Sequence, residues 1–529
     1  MKAFAELYAA LDETTKTNAK IAALRAYLEK AQPEDAVWAV HFLIGRRPKR
    51  LLESRKLAQW AIEEAAVPDW LFGDCYHAVG DFAETIALLL PPAGTSSELP
   101  LHYWVQERLL PLREADDDTR RAWLIEAWRS MDERQRFAWN KLITGEFRVG
   151  VSQSLVVRAI AEVSGASPEA VAHQLMGEWQ PTPSFWRQLA AAPGSAAESD
   201  GGLGRPYPFC LAYPLDGEVE NLGDIQEWQM EWKWDGIRAQ LIRRGGRTFI
   251  WSRGEELMTG RFPELEALGA LLPEGIAIDG EVMPWRGDAP LPFAQMQRRI
   301  GRKVLGARIL AEVPVVLVGF DLLEFESQDV RERPLKWRRA QLEAIAPPES
   351  ALVLSPLVHA GSWDELRQLR QQSRERHVEG FMLKRLNSAY RVGRRRGDWW
   401  KWKIEPYSVD AVLIYAQPGN GRRASLFTDY TFGIWEDGRL VPFAKAYSGL
   451  SDEEIRQVDA FVRRNTIETF GPVHHVKPEL VFELAFEGIQ RSSRHRSGIA
   501  VRFPRMARWR HDKRPEDADT IETIRALLP

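Results

Sequence analysis

The stretch EWKWDGIRAQ, Glu231 to Gln240, decides how the chain is read. A lysine stands between two tryptophans, with an acid two residues before it and another two after, and Asp-Gly and an arginine follow. As a strand, its alternation sets Glu231, Lys233 and Asp235 on one face and Trp232 and Trp234 on the other. The tryptophans then enter a core while the lysine points into a pocket. Gly236 permits close approach of the backbone to a ligand. Arg238 offers a fork suited to phosphate or ribose oxygens. A lysine so placed becomes a nucleophile once desolvation and nearby cations favour its neutral amine. A salt-bridged strand lysine paired with Glu231 or Asp235 has the same local sequence. The segment alone leaves both readings open.

The chain around it is long enough, at 529 residues, for several domains. It is 45% hydrophobic and 27% charged, the balance of a soluble globular protein. It contains no run of about 18 uncharged apolar residues, so no membrane span is expected. The opening MKAFAELYAALDETTKTNAK lacks an apolar signal region, which argues against secretion. Cys75 and Cys210 are the only cysteines, too few for a four-cysteine zinc site and in keeping with a reducing compartment. The formal net charge of -3 hides local basic clusters. Arg298, Arg299, Arg302 and Lys303 form one, and Arg391, Arg394, Arg395 and Arg396 form another. The densest runs from Arg491 to Arg514, with Asp512 as its only acid.

Residues up to about Trp186 read as helices. LYAALDETTKTNAKIAALRAYLEKA, DDDTRRAWLIEAWRSMDERQRFAWNKLIT and QSLVVRAIAEVSG repeat apolar residues at helical spacing. An Ala-, Gly-, Ser- and Pro-rich stretch from about Ala191 to Pro208 reads as a linker. Beyond it, RTFIWSR, IAIDGEV, VPVVLVGFDLL and GFMLKRL predict a mixed α+β domain with a substantial sheet. From about Ile404, alternating segments around Gly turns predict a small β-barrel, with an OB-fold the leading candidate.

Lys233-Trp-Asp235-Gly236-Ile-Arg238 resembles the nucleotidyltransferase motif of ATP-dependent DNA ligases, which RNA ligases and mRNA capping enzymes share in part. Further short matches follow in the family's order. Ser252-Arg253 is similar to the next motif, one residue shorter than its usual Ser-Arg-Asn-Gly form. Asp279-Gly280-Glu281, Phe320-Asp321-Leu322-Leu323 and Glu379-Gly380 resemble the following three. Lys401 and Lys403 in WWKWK match the fifth, with tryptophans for the more usual leucines, and RFPRMARWRHDK, Arg502 to Lys513, matches the last. KLITGEFRVGVSQSLVVRAIAEVSG, Lys141 to Gly165, resembles part of the family's helical DNA-binding domain, with Ser152 a plausible helix cap.

The resemblance implies a helical DNA-binding domain at 1–195, a linker at 196–208, an adenylation domain at 209–403 and an OB-fold domain at 404–529. It implies Lys233 as the nucleophile that takes AMP from ATP, with Asp235, Lys401 and Lys403 completing the catalytic set. ATP or AMP would be held by Glu231, Lys233, Arg238, Arg253, Glu281, Phe320, Lys401, Lys403, Arg508, Arg510 and Lys513. Glu281 and Glu379 would hold Mg²⁺ or Mn²⁺ through carboxylate oxygen. Arg148, Arg298, Arg299, Arg302 and Lys303 would meet DNA phosphates. For each residue an ordinary alternative exists: a core Phe320, solvated acids, a basic sheet edge or tail.

The implied activity is nick sealing in duplex DNA through a lysyl-AMP and a DNA-adenylate, in repair or replication. The expected partners are ATP and nicked duplex DNA, with no membrane, a monomeric state, and a cytoplasmic, nucleoid-associated location that leaves a nuclear one open. Three other readings compete. An RNA ligase or capping-type enzyme shares the lysine motif, but the helical region and RFPRMARWRHDK favour DNA. A vestigial, non-catalytic nucleic-acid-binding protein would have lost one of Lys233, Glu281, Glu379, Lys401 or Lys403, and all are present. An NAD-using ligase normally carries a four-cysteine zinc finger, which two cysteines rule out.

Overall fold

A computed structural model describes residues 1–46, 51–92, 96–145, 147, 149–191, 203–302, 304–419, 425–493 and 495–528. They fall into two compact units, one of Met1–Gln153 with Glu405–Pro529, the other of Ser154–Ile404. The predicted helices are present. LYAALDETTKTNAKIAALRAYLEKA forms Lys2–Asp12 and Thr17–Leu28, and the later stretches form Asp117–Ser130, Glu133–Thr144 and Gln153–Ser164. Asp132 caps the Glu133 helix in a capping box with Gln135, and Gly145 ends it in a left-handed turn.

Two large sheets build the second unit, beside the two-stranded pair of Cys210–Leu211 and Gly393–Arg394. The larger runs Leu352–Leu354, Val315–Phe325, Ile276–Arg286, Ile237–Arg244 and Arg247–Ser252. The smaller runs Tyr213–Pro214, Trp399–Lys403, Val378–Arg385 and Trp228–Trp234. One apolar cluster draws on both, with Ile242, Ala277 and Leu323 from the larger, Trp399 from the smaller, and Tyr207 and Tyr390 between them. The sheets therefore face one another across a shared layer. A second cluster buries the far side of the smaller sheet: Trp232, Phe381, Leu383, Trp400 and Trp402.

The expected linker ends earlier than its composition implies. Trp251 donates its indole N–H to the Gly204 carbonyl at 2.6 Å, and Tyr207 is buried with its hydroxyl 2.8 Å from Glu324. His173 stacks on the Tyr207 ring at 5.1 Å. Residues 204–208 are thus a packed arm, because a buried tyrosine with a carboxylate partner outweighs a loop-like local composition. Residues 192–202 lie outside the described residues. The helices Gln153–Ser164, Pro168–Leu175 and Pro183–Ala190 belong with the second unit rather than with the N-terminal helices.

In the first unit, residues from Tyr407 form a curled sheet. The long Tyr407–Pro418 strand pairs with Phe427–Glu436 on one edge. Its other edge is shared by Val481–Phe486 near its start and Val473–Val476 near its end. A strand that changes partner along one edge is bending, as closure into a small barrel requires. The expected architecture is the observed one: all-α, then α+β, then an OB-type β-barrel.

One buried ion pair ties the larger sheet to its covering helix. Arg338, on Leu335–Ile345, donates to both Asp321 oxygens at 2.7 and 2.9 Å and to the Ser388 carbonyl at 3.1 Å, and neither charged side chain is exposed. Removing one partner strands the other charge in an apolar interior. Arg338→Met should cost about 3–5 kcal/mol in denaturant unfolding. Adding Asp321→Leu should recover most of that loss. A double variant as unstable as the single one would contradict this assignment.

Candidate active site

The smaller sheet builds one wall of the site by alternation alone. In register, Glu231, Met382 and Lys401 lie side by side across its three long strands, and Gln229, Lys384 and Trp399 form the next row. Lys403 lies opposite Gly380, alongside Lys233. The intervening residues Trp232, Phe381, Leu383, Trp400 and Trp402 point the other way, into the core. The pattern read in EWKWD and WWKWK is the one observed.

A bulge aims the acid. Val378 pairs with Trp234 and Phe381 with Trp232, so three steps on one strand face two on the other. Glu379 and Gly380 occupy the extra length. Gly380 has φ +125°, and a Cβ there would run into the Trp402 carbonyl. Glu379 thereby meets two lysines: Lys233 donates to its carboxylate in a short ion pair, and Lys403 lies 3.3 Å away. Burial raises the Glu379 pKa, but Lys233 and Lys403 more than offset it and hold the carboxyl below its ordinary value. Lys401 makes no ion pair among the described residues, and burial with Lys403, Arg394 and Lys233 nearby lowers its pKa.

The larger sheet supplies the opposite wall. Asp235-Gly236 turns the chain from the Lys233 strand into Ile237–Arg244, and the Gly236 N–H donates to Glu281 at 3.2 Å. A Cβ on Gly236 would lie 2.5 Å from the Val282 carbonyl, so only glycine allows this approach. Arg238 faces Glu281 in register, but its fork closes on Asp279 at 3.2 and 2.7 Å. That fork was expected to meet phosphate or ribose and is instead taken by a carboxylate that Tyr390 also contacts at 2.6 Å. Burial raises the Glu281 pKa to about 7, against the opposing pull of Lys233, Arg238 and the Gly236 N–H.

Several residues escaped the sequence reading. Lys384 is buried, pairs with Glu231 at 2.7 Å, and sits 4.3 Å over the half-buried Phe320 ring, joining the two walls. Glu231 is therefore a buried ion-pair acid rather than a surface one. The signal was available, since alternation from Phe381 puts Lys384 on the lysine face. Asp279 and Tyr390 gave no comparable signal.

The remaining expected site residues have settings of their own. Arg299 is not a DNA contact: it is buried, with its guanidinium held by Glu264 at 2.6 and 2.7 Å and by the Val313 and Arg261 carbonyls. Arg298 is exposed and pairs with Glu312 at 2.9 Å, and Arg302 is exposed. Arg253 is exposed, its N–H donating to the Arg238 carbonyl at 2.9 Å. Arg148 and Lys303 lie outside the described residues. In the barrel, Arg508 pairs with Glu483 at 2.7 Å, while Arg510 and Lys513 both pair with Asp410, at 2.9 and 2.6 Å.

Glu281 and Glu379 offer carboxylate oxygens of the hard kind that Mg²⁺ takes. Among the described residues no group of three or more His, Cys, Asp or Glu could hold a metal. Two carboxylates fit an ion that keeps several waters and completes its shell with substrate phosphates.

A family model described as "ATP dependent DNA ligase domain" matches residues 210–403, "DNA ligase N terminus" matches 1–161, and "ATP dependent DNA ligase C terminal region" matches 423–513. A relative from Koribacter versatilis named "Probable DNA ligase" is 33% identical over 556 residues, covering 99% of this chain and 95% of its own length. The chain belongs to the ATP-dependent DNA ligase family. It is an enzyme that joins DNA and uses ATP. "DNA ligase 1" of Korarchaeum cryptofilum is 29% identical over 553 residues, covering 100% of this chain and 98% of the relative. A solved structure named "Pmar-Lig_Pre." has a TM-score of 0.63 at 15% identity, covering 96% of this chain and 99% of that one, a likeness of fold. No helix among the described residues of this ligase is long and apolar enough to cross a membrane.

The raised Glu281 pKa has a cost. Between its ordinary value of 4.5 and about 7, the folded protein keeps a proton that the unfolded chain releases, so stability falls as pH rises through that window. Glu281→Gln removes the penalty. In metal-free buffer at pH 8 it should be more stable than wild type by about 1–3 kcal/mol, and the gain should vanish near pH 4.5. Equal unfolding midpoints at pH 8 would contradict this.

Proposed function

We propose that Lys233 carries AMP between ATP and DNA. The observation that supports this most strongly is its position in the cleft, against Glu379, beside Lys401 and Lys403, and across from Glu281. The Lys233 amine attacks the ATP α-phosphorus. The bond to pyrophosphate breaks, a P–N bond forms, and the amine loses a proton. An oxygen of the 5′-phosphate at a nick then attacks the same phosphorus and releases the amine. The 3′-hydroxyl next attacks the 5′-phosphorus, AMP leaves, and the strand is sealed. Splitting the condensation in this way replaces one hard step with easier ones.

The chain's other residues orient and bind. Lys401 and Lys403 hold the α-phosphate, with Lys401 the freer of the two because Glu379 engages Lys403. Phe320 offers a face to adenine, and Lys384 fixes both that ring and Glu231, whose side chain or backbone meets the adenine amino group. Arg238, locked by Asp279, orients the adjoining wall, while Arg253 meets AMP or the 5′-phosphate. Asp235 serves the later steps. Arg508, Arg510 and Lys513 orient the pyrophosphate. Glu281 and Glu379 would hold Mg²⁺ or Mn²⁺, which would supply positive charge against the triphosphate. The helical domain, adenylation domain and barrel clamp nicked duplex DNA by its backbone, with Arg298 and Arg302 as candidate contacts. On the same reading the enzyme acts as a monomer in the cytoplasm, on the chromosome, in repair or replication.

Lys233→Ala should abolish covalent labelling by α-labelled ATP, yet still seal a nick supplied already adenylated, because only the first two steps need the amine. Wild-type labelling of the variant would remove Lys233 as the nucleophile. Loss of sealing on the pre-adenylated nick would remove the division of steps.

A further inference from the structure

Beside the lysines of the smaller sheet, one buried carboxylate is held in an asymmetric way. Gln229 and Glu231 stand two residues apart on the lysine face of the Trp228–Trp234 strand, and Lys384 lies opposite Gln229 on Val378–Arg385. All three are buried. The Gln229 Nε2 donates to Glu231 Oε1 at 2.7 Å, and the Lys384 ammonium donates to the same oxygen at 2.7 Å. Glu231 Oε2 accepts no hydrogen bond among the described residues.

The two donors differ in kind. Lys384 is a point charge, held in place by the Phe320 ring at 4.3 Å and the Trp399 ring at 4.6 Å. The Gln229 amide approaches along the strand and gives Oε1 a second direction, which fixes the rotation of the carboxylate. With Oε1 held twice, Oε2 is left as a directed acceptor. A buried acceptor without a donor is costly, and a ligand N–H that meets it offsets that cost on binding.

We propose that Gln229 is a positioning residue for base selection: by holding Oε1 it presents Oε2 to the 6-amino group of adenine. The proposal rests on the reading of this cleft as the nucleotide site and of Lys233 as the amine that takes AMP. It adds which oxygen reads the base, and that the direction of this oxygen is set by a residue outside the Lys233–Arg238 segment. A glutamine that served packing alone would affect every nucleotide alike. One that aims Oε2 affects only a base with a donor at position 6.

Covalent labelling of the full chain by α-labelled ATP and by α-labelled purine riboside triphosphate, which lacks only the 6-amino group, separates these cases. Wild type should prefer ATP by about 10- to 100-fold in the ratio of maximal rate to half-saturating concentration, the range of a hydrogen bond to a charged acceptor. Gln229→Met removes the donor at similar volume. It should raise the half-saturating ATP concentration about three- to tenfold and leave the maximal rate within about twofold. Its use of the analogue should be unchanged, so the preference narrows. Gln229→Asn, still polar but one methylene too short to reach Oε1, should behave in the same way. Variants that lose the same factor on both nucleotides would overturn the proposal. Equal use of the two nucleotides by wild type would overturn it alone and leave the lysyl-AMP step standing. Absence of label from both in wild type would overturn that step, and this proposal with it.

Discussion

The site depends on the pleat of the smaller sheet. Trp232, Phe381, Leu383, Trp400 and Trp402 are buried on one face, and each large apolar side chain so buried contributes about 1.5–3 kcal/mol. Because neighbouring residues on a strand point opposite ways, that burial forces Lys233, Lys401 and Lys403 onto the other face together. A one-residue slip would put lysines in the core and tryptophans in the cleft. The tryptophans beside the lysines are therefore what specifies the lysines' direction.

Charge then does what packing cannot. Four ionisable groups, Lys233, Lys403, Glu379 and Glu281, gather in a half-buried cleft, where each would be costly alone. Glu379 balances two lysines at once, whereas Glu281 is only partly compensated and bears its burial as a raised pKa. Such imbalance is common where a site must accept an ion or phosphate that is absent during folding. The pairs Arg338–Asp321 and Lys384–Glu231 are complete and buried, so each charge there is met by its partner.

Much of this was legible in the sequence, for reasons of range. Alternation in EWKWD and WWKWK is local, and it located the lysine face correctly. The barrel strands were legible for the same reason. What was missed depends on partners distant in sequence. Arg299 looks like its neighbours in a basic cluster, yet Glu264, 35 residues earlier, draws it inside. Nothing local to Arg510 and Lys513 signals their shared partner Asp410, about 100 residues before them. The arm at 204–208 read as linker because its composition is loop-like, while the Tyr207 partner Glu324 is 117 residues away.

The central claim is that one particular amine, presented by the pleat, forms the bond to AMP. Proteolytic mapping of the wild-type enzyme after incubation with ATP and Mg²⁺ tests it most directly, with the AMP-bearing residue found by mass spectrometry under conditions that preserve a P–N bond. The account predicts AMP on Lys233. AMP on Lys401, Lys403 or any other residue would contradict it.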